Sequence, residues 1–143
     1  MRDRISRSEL DMLAGVPLFS ACNQGELRQI ARLGTPIAVN AGKVLTAEGT
    51  PGREFFLVTN GMAECTIGGL HAARFGPGDF FGELALLDGG PRTATVTAAT
   101  DMEVVVLDAR EFASLLAASP TISAKVMATL ARRLRTADAA RSL

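Results

Sequence analysis

Glu83 and Arg92 are the side chains whose setting most invites chemistry. They stand nine residues apart in the run Phe81-Gly82-Glu83-Leu84-Ala85-Leu86-Leu87, Asp88-Gly89-Gly90, Pro91-Arg92-Thr93-Ala94-Thr95-Val96. A glycine ahead of a short helical turn lets backbone approach a ligand closely and points N–H groups outward, which favours a bound anion. Arg92, returning on the next strand, reaches the same point, and its planar fork offers two hydrogen bonds to a phosphate that carries a single negative charge. Glu83 cannot serve that phosphate, because two anions repel; it suits a neutral hydroxyl such as a ribose 2′-OH. Spacing alone leaves a second arrangement open, in which Glu83 and Arg92 pair with each other, or with solvent, around a tight turn.

Other chemistries have little to build on. His71 is the sole histidine of 143 residues, so metal sites and catalytic triads that depend on imidazole lack their parts. Gly42-Lys43 runs into Val44 without the upstream glycine of a Walker phosphate loop. Gly76, Gly78 and Gly82 miss the dinucleotide fingerprint by one residue and sit in no βαβ unit. No carboxylate spacing singles out an acid pair for glycoside hydrolysis, and no enzyme is expected. Lys plus Arg number 15 and Asp plus Glu number 15, so no global field draws the chain to nucleic acid or a membrane surface, and an anion has to be held locally. Cys22 and Cys65 form neither a CxxC nor a disulfide framework and read as buried or inert thiols. Arg2, Arg4 and Arg7 imitate the start of a signal peptide, but Ser8, Glu9 and Asp11 deny it an apolar stretch. Runs such as Leu84 to Leu87 are too short to span a bilayer. The expectation is a cytoplasmic protein with no metal, no cofactor and no membrane insertion.

The elements that must position this segment follow from pattern. Asn23 with Glu26 forms a capping box, and Leu27, Ile30 and Leu33 repeat at helical spacing before Gly34, which predicts a helix over 24–33. Leu10 and Leu13 suggest a shorter one upstream that is interrupted before Pro17. From Pro36 to Leu107 short β-rich pieces alternate with turn signals: Ile37–Val39, Lys43–Thr46, Glu54–Thr59, Met62–Ile67, Arg92–Ala98 and Met102–Leu107, with Asn60-Gly61 a hairpin turn. Such a series indicates a sandwich, a jelly roll or a small barrel. Asp108 with Glu111 then opens a helix carrying Phe112, Leu115 and Leu116. Ser119-Pro120 opens another, with Ile122, Val126, Leu130 and Leu134 in a stripe that suits either the barrel or a subunit contact. The chain therefore reads as a single domain, 1–143, with N-terminal helices in 1–35, a β-rich body in 36–107 and C-terminal helices in 108–138.

Over about residues 10 to 137 the sequence resembles the cyclic nucleotide-binding domains of the bacterial catabolite activator, cyclic-nucleotide-dependent kinases and cyclic-nucleotide-gated channels. The most specific part is the phosphate-binding cassette, 81–96, carried by Phe81-Gly82-Glu83-Leu84-Ala85-Leu86 and by Arg92-Thr93-Ala94-Thr95-Val96-Thr97-Ala98. A weaker pattern runs through Gly49, Thr50, Gly52, Phe55-Phe56-Leu57-Val58 and Gly61, and departs at Thr46, where the family prefers an apolar residue. The resemblance implies a mainly β fold, an eight-stranded antiparallel β-roll of jelly-roll type, with N-terminal helices and two C-terminal ones. It implies a phosphate arginine at Arg92, a ribose glutamate at Glu83, and backbone or hydroxyl donors at Gly82, Leu84, Ala85 and Thr93. Phe75 matches a position that packs against the base. The last helix, about 120–137, corresponds to a lid, with Arg133, Leu134 and Ala137 as candidate lid residues.

The implied function is a regulatory switch that binds cAMP, with cGMP the less favoured ligand, and signals through movement of the last helix to a protein effector or fused domain. The alternative is a protein-interaction scaffold that keeps the fold with weak nucleotide binding or none. Ala137 and Asp138 replace the Thr-Ser pair with which the catabolite activator binds adenine. The chain stops at Leu143, leaving no room for that protein's DNA-reading domain, so nucleic acid is not an expected partner; a homodimer is compatible with the helix stripe. Arg132, Arg133, Arg135 and Arg141 suit a solvated helix face, a cap on the nucleotide base or a docking strip; most read as the solvated face, with one arginine near the base.

Overall fold

The computed structural model describes residues 7–141 and, apart from Ser8, Glu9, Pro17 and 137–141, their side chains. Helix α1 (Arg7–Ala14), a 3₁₀ turn (Pro17–Phe19) and α2 (Gln24–Leu33) precede eight strands, and α4 (Ala109–Ala118) and α5 (Pro120–Arg141) follow them. The strands are β1 (Thr35–Val39), β2 (Val44–Thr46), β3 (Glu54–Asn60), β4 (Ala63–Ile67), β5 (Leu70–Phe75), β6 (Phe80–Phe81), β7 (Thr95–Ala98) and β8 (Met102–Asp108), with the short helix α3 (Glu83–Asp88) between β6 and β7. They form two four-stranded sheets, ordered β1-β8-β3-β6 and β2-β7-β4-β5, and the pairings are antiparallel. This is the mainly β roll with flanking helices that the sequence led one to expect.

The first sheet has apolar residues on both faces, which is why Phe55-Phe56-Leu57-Val58 reads as an unbroken apolar run rather than an alternation. Phe55 and Leu57 join Phe80, Val105 and Leu107 in a core under the helices, where Phe112, Leu115, Ile122 and Val126 are also buried. Phe56 and Val58 turn the other way and meet Phe81, Val104, Val106, Cys65, Val96 and Ala98 inside the roll. Neighbouring residues of one strand therefore serve two cores. The second sheet closes over one core only, and β4 shows the alternating burial that follows.

Both capping boxes form: Asn23 with Glu26 on α2, and Asp108 with Glu111 on α4. Glu26 also accepts a hydrogen bond from the buried Ser119 hydroxyl at 3.1 Å. That serine in turn accepts from Ile122 N at 3.3 Å as α5 begins, at a bend of 113° from α4. Ile122 and Val126 are buried and Leu130 packs against the core, whereas Leu134 is 63% exposed. The apolar stripe of α5 thus serves the core for its first three members and then runs out into solvent.

Pattern reading missed two strands. β5, Leu-His-Ala-Ala-Arg-Phe, is mostly exposed and offers no buried alternation to detect, and β6 is two residues long. The strand expected over Arg92–Ala98 begins only at Thr95. Before it, Arg92 leaves the ladder to pair with the loop after β2: Arg92 N donates to Thr50 O and Gly49 N donates to Arg92 O, each at 2.8 Å. Among the described residues no single helix is long and apolar enough to cross a membrane.

Candidate functional site

Helix α3 sets the geometry of the site. Gly82 caps it in the left-handed region, with φ of 92°, and Gly89 ends it in the same region. The left-handed turn at Gly82 takes the chain from β6 directly into the helix, so Glu83 faces inward and only 3% of it is exposed. The first-turn N–H groups of such a helix have no intrahelical acceptors.

Arg92 comes back to this point from the far side, as the spacing implies, and is 7% exposed. It does not pair with Glu83. Its Nη1 donates to Gly82 O at 3.0 Å and its Nη2 to Glu54 O at 2.8 Å, and its guanidinium lies 5.9 Å from the Phe56 ring centre. Space for its stem comes from Gly52, where an added Cβ would lie 3.0 Å from Arg92 Cδ and 2.3 Å from Ala85 Cβ. Burial pushes the Arg92 guanidinium below its ordinary value, opposed by the nearby Glu54 and Glu83 carboxylates. A desolvated cation tied to two carbonyls, with further N–H groups on a cavity wall, is suited to an entering anion.

Glu83 is held by another arginine. Arg133 Nη1, from α5, donates to Glu83 Oε1 at 2.6 Å, and Arg133 Nη2 donates to Phe80 O at 2.5 Å. The Arg133 guanidinium also lies over two rings, 5.3 Å from the centre of Phe75 and 4.8 Å from that of Phe80. Glu83 Oε2 is buried and has no hydrogen-bond partner among the described residues. The solvated arginine face expected of α5 is therefore interrupted at Arg133.

Between α3, the second sheet and α5 lies a cavity of about 550 Å³. The walls include Gly82, Glu83, Leu84, Ala85, Arg92, Thr93 and Phe75, so the cassette residues and the aromatic position converge on one space. The floor is Cys65, Ala73, Val96 and Thr46, whose hydroxyl donates to Ala94 O at 3.1 Å. From α5, Arg132, Arg133 and Thr136 reach the cavity, while Leu134 does not line it and the side chain of Ala137 lies outside the described residues. Arg132 was one of the arginines weighed as a base cap; Thr136 was missed because the face turned to the cavity depends on how α5 crosses the roll. Cys65, read from sequence as a buried or inert thiol, is buried and lies on that floor; burial raises its thiol above the ordinary 9.0. Among the described residues no group of three His, Cys, Asp or Glu could hold a metal ion.

Two antiparallel sheets rolled around a short helix, with a buried arginine and glutamate converging on a cavity roofed by a C-terminal helix, define a ligand-pocket β-roll class. Within it, the family model described as the cyclic nucleotide-binding domain matches residues 36–119, and the chain belongs to that family. A cyclic nucleotide-gated potassium channel of Rhizobium etli is 36% identical over 122 residues, covering 85% of this chain and 34% of the channel. The Thermus thermophilus catabolite activator protein superposes with a TM-score of 0.79 at 32% identity, covering 89% of this chain and 62% of that one. A structure of PKAR CBD2 with Sp-2Cl-cAMPS bound gives a TM-score of 0.79 at 28% identity, covering 92% and 90%. The chain spans about a third of the length of the channel relatives it matches.

Proposed function

We propose that this domain is a cAMP-responsive regulatory module. The cyclic phosphate enters against Arg92, with Thr93 and the backbone N–H groups of Gly82, Leu84 and Ala85 as further donors. Glu83 accepts from the ribose 2′-OH, and Phe75 packs against the base. The carrying observation is the pairing of opposite needs in one cavity: a buried guanidinium on one wall, and on another a buried carboxylate whose Oε2 has no partner among the described residues. An anion satisfies the first and a neutral hydroxyl the second, and a ribose cyclic phosphate carries both within one small ligand.

No reaction is assigned to the site. The nucleotide acts as a signal, read by α5 and passed to a protein effector or fused domain in the cytoplasm, with no role for nucleic acid or membrane insertion; a homodimer is compatible with this reading. Preference for cAMP over cGMP is the finer part of the proposal and rests on relatives such as the cAMP-dependent protein kinase regulatory subunit of Aspergillus niger, 40% identical over 106 residues.

Titration calorimetry with cAMP and cGMP, on the native chain and on Arg92→Ala, tests this reading. The expected result is saturable heat with the native chain, stronger for cAMP, and its loss in the variant. Absence of heat with either nucleotide at high protein concentration removes the receptor and leaves an interaction scaffold of the same fold.

A further inference from the structure

We infer that Glu48 is a positioning residue: its carboxylate fastens the tip of the β4–β5 hairpin to the loop that is hydrogen-bonded to Arg92, and so sets the width of the cavity between those two sides. The inference rests on the receptor reading above and adds a residue outside the cassette that shapes the same site.

The hairpin tip has little else to hold it. Pairing between β7 and β4 ends at Thr95, opposite Thr66, and β5 is the edge of its sheet. Residues 67–70 therefore overhang the sheet, joined by the Ile67–Leu70 pair. Gly68 and Gly69 turn the chain with φ of 60° and 80°, the two positive values of a tight hairpin turn. A Cβ at either glycine would meet nothing within 4 Å, and Ile67 and Leu70 are 50% and 75% exposed. Packing does not place this tip. Yet Ile67 lines the cavity, as do Ala72, Ala73 and Phe75 of the same hairpin.

A long-range hydrogen bond does place it. Gly68 N donates to Glu48 Oε1 at 2.9 Å, and an ionised acceptor makes such a bond stronger than a neutral one does. Glu48 is itself fixed, since its N–H donates to Thr95 Oγ1 at 3.0 Å where β7 begins. The next two residues hold the phosphate side: Gly49 N donates to Arg92 O, and Arg92 N donates to Thr50 O, each at 2.8 Å. Residues 48 to 50 thus join the hairpin tip, β7 and the backbone of Arg92 in one short strut. The Cys65 thiol on the cavity floor registers the same carboxylate: burial raises it most, Arg133 lowers it and Glu48 raises it again. A nucleotide held between the two sides needs the tip in place, and apparent affinity falls in proportion to the time the tip spends elsewhere.

The experiment compares the native chain with Glu48→Ala, which removes the acceptor, and Glu48→Gln, which keeps an acceptor oxygen at the same reach without the charge. NMR without nucleotide follows the exchange of the Gly68 amide, calorimetry gives cAMP affinity, and thermal unfolding gives stability. In Glu48→Ala the Gly68 amide should exchange faster and cAMP should bind about three- to tenfold more weakly, up to the bias that one hydrogen bond supplies. Glu48→Gln should restore native exchange and bind within about twofold of native. Both variants should melt within about 4 °C of the native chain, because the contact lies at the surface; a larger fall makes Glu48 a structural residue and overturns the inference. Unchanged Gly68 exchange in Glu48→Ala overturns the strut. Faster exchange with less than about a threefold loss of affinity overturns its part in shaping the cavity, and an equal loss in Glu48→Gln assigns the effect to charge and overturns it too. In each of these cases the native chain still binds cAMP and the receptor reading stands. Absence of heat with the native chain removes that reading and this inference together.

Discussion

Gly82 and Gly89 cap the same short helix, both with positive φ, yet alanine at the two positions should behave very differently. At Gly89 an added Cβ meets nothing within 4 Å. Alanine there incurs only the left-handed backbone cost, about 1 kcal/mol. At Gly82, with φ of 92°, the Cβ would lie 2.7 Å from Glu54 O and 2.8 Å from Arg92 Nη1. Neither neighbour yields easily: one is backbone of β3, and the other is a guanidinium tied to the carbonyls of Gly82 and Glu54. Overpacking of this kind adds about 1–3 kcal/mol to the backbone cost. The total for Gly82→Ala is then about 2–4 kcal/mol. At about 4 °C per kcal/mol for a domain of this size, Gly89→Ala should melt about 4 °C below the native chain and Gly82→Ala about 8–16 °C below. Thermal unfolding followed by circular dichroism measures both, and calorimetry with cAMP provides the functional counterpart. Gly82→Ala should bind weakly because the arginine is pushed from its place, and Gly89→Ala should bind within about threefold of native, a difference of no more than about 0.7 kcal/mol. Equal loss of stability in the two variants would refute the reasoning, since it would mean that the close approach of Gly82 to Arg92 carries no energy.

Other outcomes follow from the same contacts. Arg92→Ala leaves the carbonyls of Gly82 and Glu54 without their donor, so it should cost about 1–3 kcal/mol in urea unfolding besides abolishing nucleotide heat. Ser119→Ala removes both the Glu26 partner and the acceptor for Ile122 N; a loss of about 1–2 kcal/mol is expected, read by the same unfolding assay. Cys65 lines the cavity with its thiol held above the ordinary 9.0 by burial. Because the native value is the raised one, its contribution to stability is complete below the unfolded value and is lost as pH rises through the native value. Cys65→Val should therefore flatten the alkaline limb of a stability-against-pH curve, while cAMP should slow alkylation of Cys65 in the native chain without protecting Cys22.

Much of the fold was legible because its elements announce themselves locally. The capping boxes at Asn23 and Asp108, the Ser119-Pro120 helix start and the apolar strands β3 and β8 are each written within a few residues. β5 and β6 were not legible by pattern, since one is exposed and the other is held by its register against Phe56 and Leu57 of β3. Within the site, the cassette side chains could be named from spacing and resemblance, but their partners could not. The sequence permits a Glu83–Arg92 pair; the structure gives Glu83 to Arg133 and Arg92 to two carbonyls, through contacts spanning 50, 10 and 38 residues. Contacts of that separation depend on how α5 and β3 pass the cassette, which no local periodicity records.

The same long-range contacts explain how a cavity event can reach the helices. Phe55 and Phe56 are adjacent on β3 and face opposite cores. Phe56 stacks on Phe81 at 5.0 Å and underlies Arg92, whereas Phe55 stacks on Phe112 of α4 at 4.6 Å and touches Phe80 at 5.5 Å. Phe80 and Phe81 are likewise adjacent, and Phe80 O is the second anchor of Arg133. Two neighbouring residues on each of two paired strands thus connect the floor of the cavity, the cassette and the two C-terminal helices. Rigid packing of this kind passes on a displacement rather than absorbing it. A coupling of the two sites through it remains a question of energy, and a double-mutant cycle between Phe55→Leu and Arg133→Met, read in cAMP affinity, measures it directly. An interaction energy above about 0.5 kcal/mol is expected, because Phe55 braces the ring over which Arg133 sits; strict additivity would show that the two residues act on nucleotide binding independently.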